Sequence, residues 1–200
     1  MTRDAVITQL MEHPDARDAW VVLSDLLQQE GNPRGEWLAL ELALRHAPTE
    51  ELKAQHRAFF DAHAPALLGE LLSQVIREGY GEATWSYGYV ETLSYVGSNL
   101  LSHQRAVKWL ITAICTQPEA LTFLRTLKLA RTDLDDPRPL ACFRGLRELD
   151  VSRTAVKSLD WVGAFPALRR VDVSGCALPK GALKEAMALN PRVTFASSKS

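Results

Sequence analysis

The chain has 200 residues, of which 46% are hydrophobic and 24% charged, and its formal net charge is −1 at pH 7. These values are typical of globular proteins and give no overall attraction to nucleic acid. No window of about 18 apolar residues and no basic segment followed by an apolar one occurs, so we expect neither a membrane span nor a secretory signal.

The number and spacing of the cysteines indicate the cellular compartment. Cys115, Cys142 and Cys176 are odd in number, widely spaced and without a C-x-x-C pair. A disulfide framework or a zinc ribbon would need a denser, even pattern. The sequence therefore favours the reducing cytoplasm and predicts no structural disulfide.

The first part of the chain has helical periodicity, with apolar residues recurring at intervals of three and four. Gly31 and Pro33 mark a joint where one helix ends and the next begins, and the segment Pro48-Thr49-Glu50 marks another helix start. No alternating, strand-like segment competes with this pattern. The sequence predicts a helical domain over residues 1–79.

A distinctive motif surrounds the joint. The segment reads Asp25-Leu26-Leu27-Gln28-Gln29-Glu30-Gly31-Asn32-Pro33-Arg34-Gly35-Glu36-Trp37-Leu38. It resembles the hallmark of the repeat-companion domain, which lies beside leucine-rich repeats in myxobacteria and planctomycetes. Leu26 stands where that family usually has Trp, and Asn32 where it has Asp. The matching positions are Asp25, Leu27, Gly31, Pro33, Arg34, Gly35 and Glu36.

This resemblance covers about residues 1–50 and implies a bacterial protein associated with repeats. It implies no catalytic residues. From the residues themselves, Asp25, Arg34 and Glu36 could form a charged clasp across the joint, since an Arg side chain can pair with carboxylates through two parallel hydrogen bonds.

The second part of the chain contains an internal repeat of the form L-x-x-L-x-L-x-x-T-x-L. Its three copies begin at Leu124, Leu146 and Leu168, so they are 22 residues apart. In each copy alternate strand residues point inward, and each copy can bury its apolar side chains only against its neighbours. This pattern predicts a leucine-rich-repeat solenoid with a parallel sheet.

The ends of the array are also predicted. Val90, Leu93 and Tyr95 have the spacing of an N-terminal cap strand, and Val193 and Phe195 follow Val171 and Val173 by 22 residues, which predicts a fourth strand. Helices are expected over 101–114, capped by Ser98 or Asn99, and over 179–189. The expected fold class is α/β, with a helical domain over 1–79 and a leucine-rich-repeat domain over 80–200.

The outward side chains of the strands form the candidate site. Parallel strands lie about 4.8 Å apart, so Lys128, Asp150 and Asp172 should form one ladder across the sheet. Adjacent like charges are unfavourable, so the pair Asp150 and Asp172 favours a partner protein over simple pairing of Lys128 with Asp150. The predicted partner-binding residues are Thr126, Lys128, Arg131, Glu148, Asp150, Ser152, Arg153, Arg170, Asp172 and Ser174.

Other chemistries have less support. His56 and His63 are seven residues apart on a helix, but a metal site needs further ligands. Cys176 has no His among residues 104–200 to activate it. No phosphate-binding or hydrolase motif occurs, so we expect no enzyme activity, cofactor or metal.

Basic residues are common after residue 118, but the carboxylates of Glu148, Asp150 and Asp172 interrupt them, which disfavours nucleic acid as a partner. The expected function is therefore binding of another protein by an adaptor or scaffold. The alternative is an inhibitor or immunity-type protein that occludes the active site of another protein.

Overall fold

The computed structural model describes residues 2–95, 110–112, 114–115 and 119–197, and it is a mixed α/β structure, as predicted. The chain forms two compact units. The helical unit consists of Met1–Ser73 with Trp85–Tyr89, and the sheet unit consists of Gln74–Thr84 with Val90–Ser200. The domain boundary between residues 79 and 80 stays a prediction.

The helices begin where the sequence places their caps. The Asn32 side chain accepts a hydrogen bond from Arg34 N (3.0 Å), and the Thr49 side chain accepts one from Leu52 N (3.1 Å). The α-helices are α1 (Arg3–Glu12), α2 (Arg17–Gln29), α3 (Pro33–His46), α4 (Glu50–Leu68), α5 (Glu70–Arg77) and α6 (Ala182–Leu189). Two 3₁₀-helices are η1 (Arg138–Cys142) and η2 (Asp160–Ala164).

Residues 110–112 and 114–115 are also helical, within the helix predicted over 101–114. The rest of that prediction, including the caps at Ser98 or Asn99, lies outside the described residues.

Among the described residues, the strands form one six-stranded sheet in chain order. The strands are β1 (Glu82–Ser86), β2 (Tyr89–Ser94), β3 (Thr126–Lys128), β4 (Glu148–Asp150), β5 (Arg170–Asp172) and β6 (Thr194–Ala196), and each is hydrogen-bonded to the next. Every neighbouring pair from β2 to β6 is parallel, which confirms the predicted parallel sheet.

The inward side chains of the repeated strands form the predicted buried column. All six are at most 2% exposed. Alternation of side chains along a strand puts residues of one parity on the core face, and lateral pairing in register aligns them between strands. These residues are Leu127, Leu129, Leu149, Val151, Val171 and Val173.

The register of the last strand differs from the prediction. Val171 pairs with Phe195 rather than with Val193, so the interval between the paired residues is two residues longer than in the repeat. The backbone agrees, because Thr194 N donates to Arg169 O (2.7 Å). The earlier copies return through the five-residue helices η1 and η2, whereas this copy returns through the eight-residue helix α6, which accounts for the longer interval.

A buried arginine organises the helical unit. Arg34 is 2% exposed, and its guanidinium donates to the carbonyl oxygens of Gly88 (3.2 Å) and Leu67. The same group lies 4.9 Å from the centroid of the Tyr89 ring. The backbone carbonyls and the Tyr89 ring thus stabilise the positive charge of Arg34. The predicted clasp would instead pair Arg34 with the carboxylates of Asp25 and Glu36, but both of these residues are exposed.

Candidate functional site

The outward side chains of the sheet form two straight ladders in the sheet unit. Pairing aligns Thr126, Glu148 and Arg170 in one ladder and Lys128, Asp150 and Asp172 in the other, as predicted. We call the surface formed by the ten predicted partner-binding residues the strand face. Six of them, Thr126, Lys128, Glu148, Asp150, Arg170 and Asp172, line a shallow depression of about 310 Å³ together with Leu149.

The ladders extend onto the neighbouring strands with uncharged residues. On β2, Thr92 pairs with Thr126 and Ser94 pairs with Lys128. On β6 the corresponding residues are Thr194 and Ala196. The charge is therefore confined to the three central strands. The pairing of Leu93 with Leu127 agrees with the predicted cap strand, whereas the β6 residues follow an interval two residues longer than the 22-residue period.

The carboxylates of Asp150 and Asp172 have a structural role. Asp150 Oδ1 accepts a hydrogen bond from Ser152 N, and Asp172 Oδ1 accepts one from Ser174 N, each at 2.8 Å. This is the local side-chain-to-backbone contact that Asp commonly makes at turns. The backbone N–H groups stabilise both negative charges, so the adjacency of Asp150 and Asp172 does not require a partner.

The other charges of the ladders have no such contacts. In the described part of the chain, neither Lys128 nor Glu148 nor Arg170 forms a salt bridge, and Lys128 does not pair with Asp150. All three side chains are exposed. Their charges therefore remain available to an opposing surface.

After each repeated strand the backbone makes the same left-handed turn. The φ angles are 59° at Arg131, 55° at Arg153 and 73° at Gly175, which are 22 residues apart. This conformation lets Arg131 N donate to Ser152 O (2.9 Å) and Arg153 N donate to Ser174 O (2.8 Å). A left-handed residue other than glycine costs about 1–2 kcal/mol, so the chain keeps two exposed arginines at positions where glycine would be less strained.

The glycine of the third turn makes room for one of these arginines. A Cβ atom on Gly175 would lie 2.9 Å from Arg153 Cγ. The aliphatic part of the Arg153 side chain therefore lies directly over the next turn, which holds this arginine at the edge of the strand face.

The buried turn residues close each repeat. Thr132 Oγ1 donates to Leu129 O (2.8 Å), and Thr154 Oγ1 donates to Val151 O (2.7 Å). Cys176 occupies the equivalent position, and its Sγ donates to Val151 O at 3.1 Å. These contacts give Cys176 the structural role expected for a small turn residue.

The two histidines have different partners. His56 Nε2 lies 2.8 Å from Glu41 Oε1, and His63 Nδ1 lies 3.0 Å from the Phe59 carbonyl oxygen. Among the described residues, no group of three or more His, Cys, Asp or Glu side chains has the arrangement of a metal site.

No helix in the described ranges combines the length and the apolar character needed to cross a membrane.

A close thiol pair is one contact that the sequence did not predict. Cys142 Sγ lies 3.5 Å from Cys115 Sγ, although the residues are 27 apart in sequence. Both are free thiols. Burial, followed by the hydrogen bond and charge of Cys142, raises the pKa of Cys115 to about 12. Because Cys115 and Cys142 are 27 residues apart, the sequence does not indicate that their thiols are neighbours in the structure.

The fold and the ladders define a class, namely a mixed α/β protein with a parallel sheet whose outer face carries ordered charge. No protein-family model matches the sequence, and no curated protein is significantly similar to it.

Proposed function

We propose that this chain is a non-enzymatic adaptor or scaffold that binds another protein through the strand face. In this proposal the sheet unit is a short leucine-rich-repeat solenoid, and the helical unit is a repeat-companion-like domain. The 22-residue pattern, the buried column and the repeated left-handed turns support this description.

The observation that carries the proposal is the set of exposed charges without salt bridges on the rigid central strands. Lys128, Glu148 and Arg170 are held in fixed register. Their backbone is paired on both sides, so little conformational entropy of the main chain is lost on binding. A partner with carboxylates opposite Lys128 and Arg170 and a basic group opposite Glu148 would be complementary.

The test compares two charge-reversal variants of the full chain. Lys128→Glu with Arg170→Glu changes the strand face, and Lys157→Glu with Lys180→Glu makes the same change in net charge on exposed residues outside it. Surface substitutions of this kind usually change the free energy of unfolding by about 0.5 kcal/mol or less. Circular dichroism establishes that both variants fold.

Each tagged protein is then used for quantitative affinity capture from cells of the native source, with and without nuclease. We expect a partner protein that the wild type and the control variant retain and that the strand-face variant loses at least about tenfold, since misplaced like charges at an interface cost several kcal/mol. Equal recovery by all three proteins, loss with the control alone, nuclease-sensitive recovery, or no recovered protein would each contradict the proposal.

A further inference from the structure

The helical unit contains a pocket lined by aromatic and charged side chains. Its volume is about 260 Å³, slightly below the ~300–1,000 Å³ of pockets for drug-sized ligands. Three aromatic rings, Trp37, Phe60 and Trp85, line it together with the charged side chains of Glu41, Asp61 and Arg57. Its size suits one compact chemical group.

The aromatic rings form a corner. The Trp85 ring is inclined at 79° to Phe60, with the centroids 5.4 Å apart, and at 74° to Trp37, with the centroids 6.2 Å apart. Phe60 and Trp37 are themselves 5.3 Å apart. A cation within about 6 Å of an aromatic centroid is attracted by the negative face of the ring. Rings that meet at steep angles present that attraction from more than one side.

The corner is held in place before any ligand binds. The His56 ring stacks on Trp37 with a centroid distance of 3.9 Å, and its Nε2 contacts Glu41. On another edge of the indole, a Cβ atom on Gly88 would lie 2.5 Å from Trp37 Cδ1. Contacts on one face and one edge therefore restrict the Trp37 ring, which lowers the cost of ordering the pocket on binding.

The charges of the lining favour a cation. Glu41 and Asp61 contribute two carboxylates and the exposed Arg57 contributes one positive charge, while His56, which also lines the pocket, contacts Glu41 Oε1 through Nε2 at 2.8 Å. Glu41 is half-buried, with 15% of its side chain exposed, so its carboxylate acts in a region of reduced dielectric constant. A strongly hydrated ammonium group would lose its water against the aromatic lining, whereas a methylated ammonium group is only weakly hydrated and keeps its charge.

We propose that this pocket binds a quaternary ammonium group, with Phe60 and Trp85 contacting the methyl groups, with Trp37, which is 2% exposed, supporting these two rings, and with Asp61 and Glu41 balancing the charge. The group can belong to a small molecule such as choline or to a trimethylated lysine side chain. The proposal is independent of the strand face, and either can fail alone.

The first experiment measures charge recognition at constant shape. The full chain is titrated with choline and with 3,3-dimethylbutan-1-ol, a neutral molecule of the same shape, and binding is followed by calorimetry and tryptophan fluorescence. We expect choline to bind about tenfold more tightly, consistent with cation–π attraction in a partly desolvated site. Equal affinities, or no saturable choline binding up to about 10 mM, would overturn the proposal.

Variants then locate the site. Trp85→Leu should weaken choline binding at least about tenfold. Asp61→Asn should weaken it and Arg57→Gln should strengthen it, because the two exposed residues contribute opposite charges. Asp18→Asn, an exposed change of the same charge on α2 outside the pocket, is the matched control and should have no effect.

Asp61, Arg57 and Asp18 are exposed, so their variants keep the test valid even if Trp85→Leu does not fold. Identical responses of Asp61→Asn and Asp18→Asn would show that the bound cation lies elsewhere. A final arm compares a peptide containing trimethyllysine with its unmethylated form. Tighter binding of the methylated peptide than of choline identifies a protein side chain as the ligand, and the reverse identifies a small molecule.

Discussion

The sheet unit and the helical unit are stabilised in different ways. In the sheet unit the same contact recurs, since Arg125 O accepts from Arg147 N and Glu148 N, and Arg147 O in turn accepts from Arg169 N and Arg170 N. In the helical unit the buried Arg34 donates to the Gly88 and Leu67 carbonyl oxygens, contacts that follow no repeat in the sequence. Recurring contacts distribute stability over equivalent positions, whereas single contacts concentrate it on particular residues.

Alanine substitutions in the buried column test whether corresponding positions of the repeat contribute equally to the free energy of unfolding, and their expected effects are among the largest. Leu149→Ala removes a side chain that is 1% exposed in the buried column, and we expect the free energy of unfolding to fall by about 2–5 kcal/mol. Leu127→Ala, one copy earlier and 0% exposed, should cost the same to within about 1 kcal/mol. Urea denaturation measures both.

The control for this pair is Leu189→Ala, since Leu189 is 74% exposed. Its cost should stay within about 0.5 kcal/mol. A strong effect of Leu149→Ala with almost none for Leu127→Ala would mean that the copies are not equivalent, and the contrast between the two units would then be lost.

An effect of similar size is expected at a single contact of the helical unit. Gly88→Ala introduces a Cβ atom 2.5 Å from Trp37 Cδ1 at a φ of 73°. The left-handed backbone costs about 1–2 kcal/mol, and the overpacking adds about 1–3 kcal/mol. Thermal and urea denaturation should therefore show a clear loss of stability.

Gly31→Ala separates these two causes. Gly31 has a similar φ of 69°, but nothing lies within 4 Å of the added Cβ atom, so only the backbone cost of about 1–2 kcal/mol applies. If the two variants are equally stable, the contact between Gly88 and Trp37 contributes nothing, and the helical unit depends less on single contacts than its geometry indicates.

The smallest effect changes reactivity without changing stability. The raised pKa of Cys115 keeps this thiol protonated well above pH 9, and only the thiolate reacts with alkylating reagents. At pH 8 iodoacetamide should therefore modify the exposed Cys142 first, and the rate at Cys115 should still be increasing with pH at pH 10. Mass spectrometry of the peptides gives both rates.

The variant Cys142→Ala tests the cause of this shift. It removes the two smaller contributions to the raised pKa of Cys115 and leaves burial, the largest one. The pH dependence of Cys115 alkylation should move to lower pH but stay above that of an ordinary thiol. An unchanged profile would exclude the contact between the two sulfur atoms as a contributor.

The strand face was largely predictable, but the reasons for its charges were not. Repetition of the pattern predicted that Lys128, Asp150 and Asp172 would align. It could not indicate that each aspartate accepts a hydrogen bond from its own turn while Lys128 has no salt bridge, since those outcomes depend on side-chain rotamers and on distances of a few tenths of an ångström.

The sequence by itself determined the helix joints, the parallel strands and the buried column of the repeat. It did so because periodicity and caps are local signals, and each copy repeats the evidence of the others. Only the tertiary structure decided that Arg34 is buried, that Cys115 and Cys142 are neighbours and that Trp85 meets Trp37 and Phe60 at a corner. These contacts join residues far apart in the chain, each occurs once, and no spacing in the sequence records them.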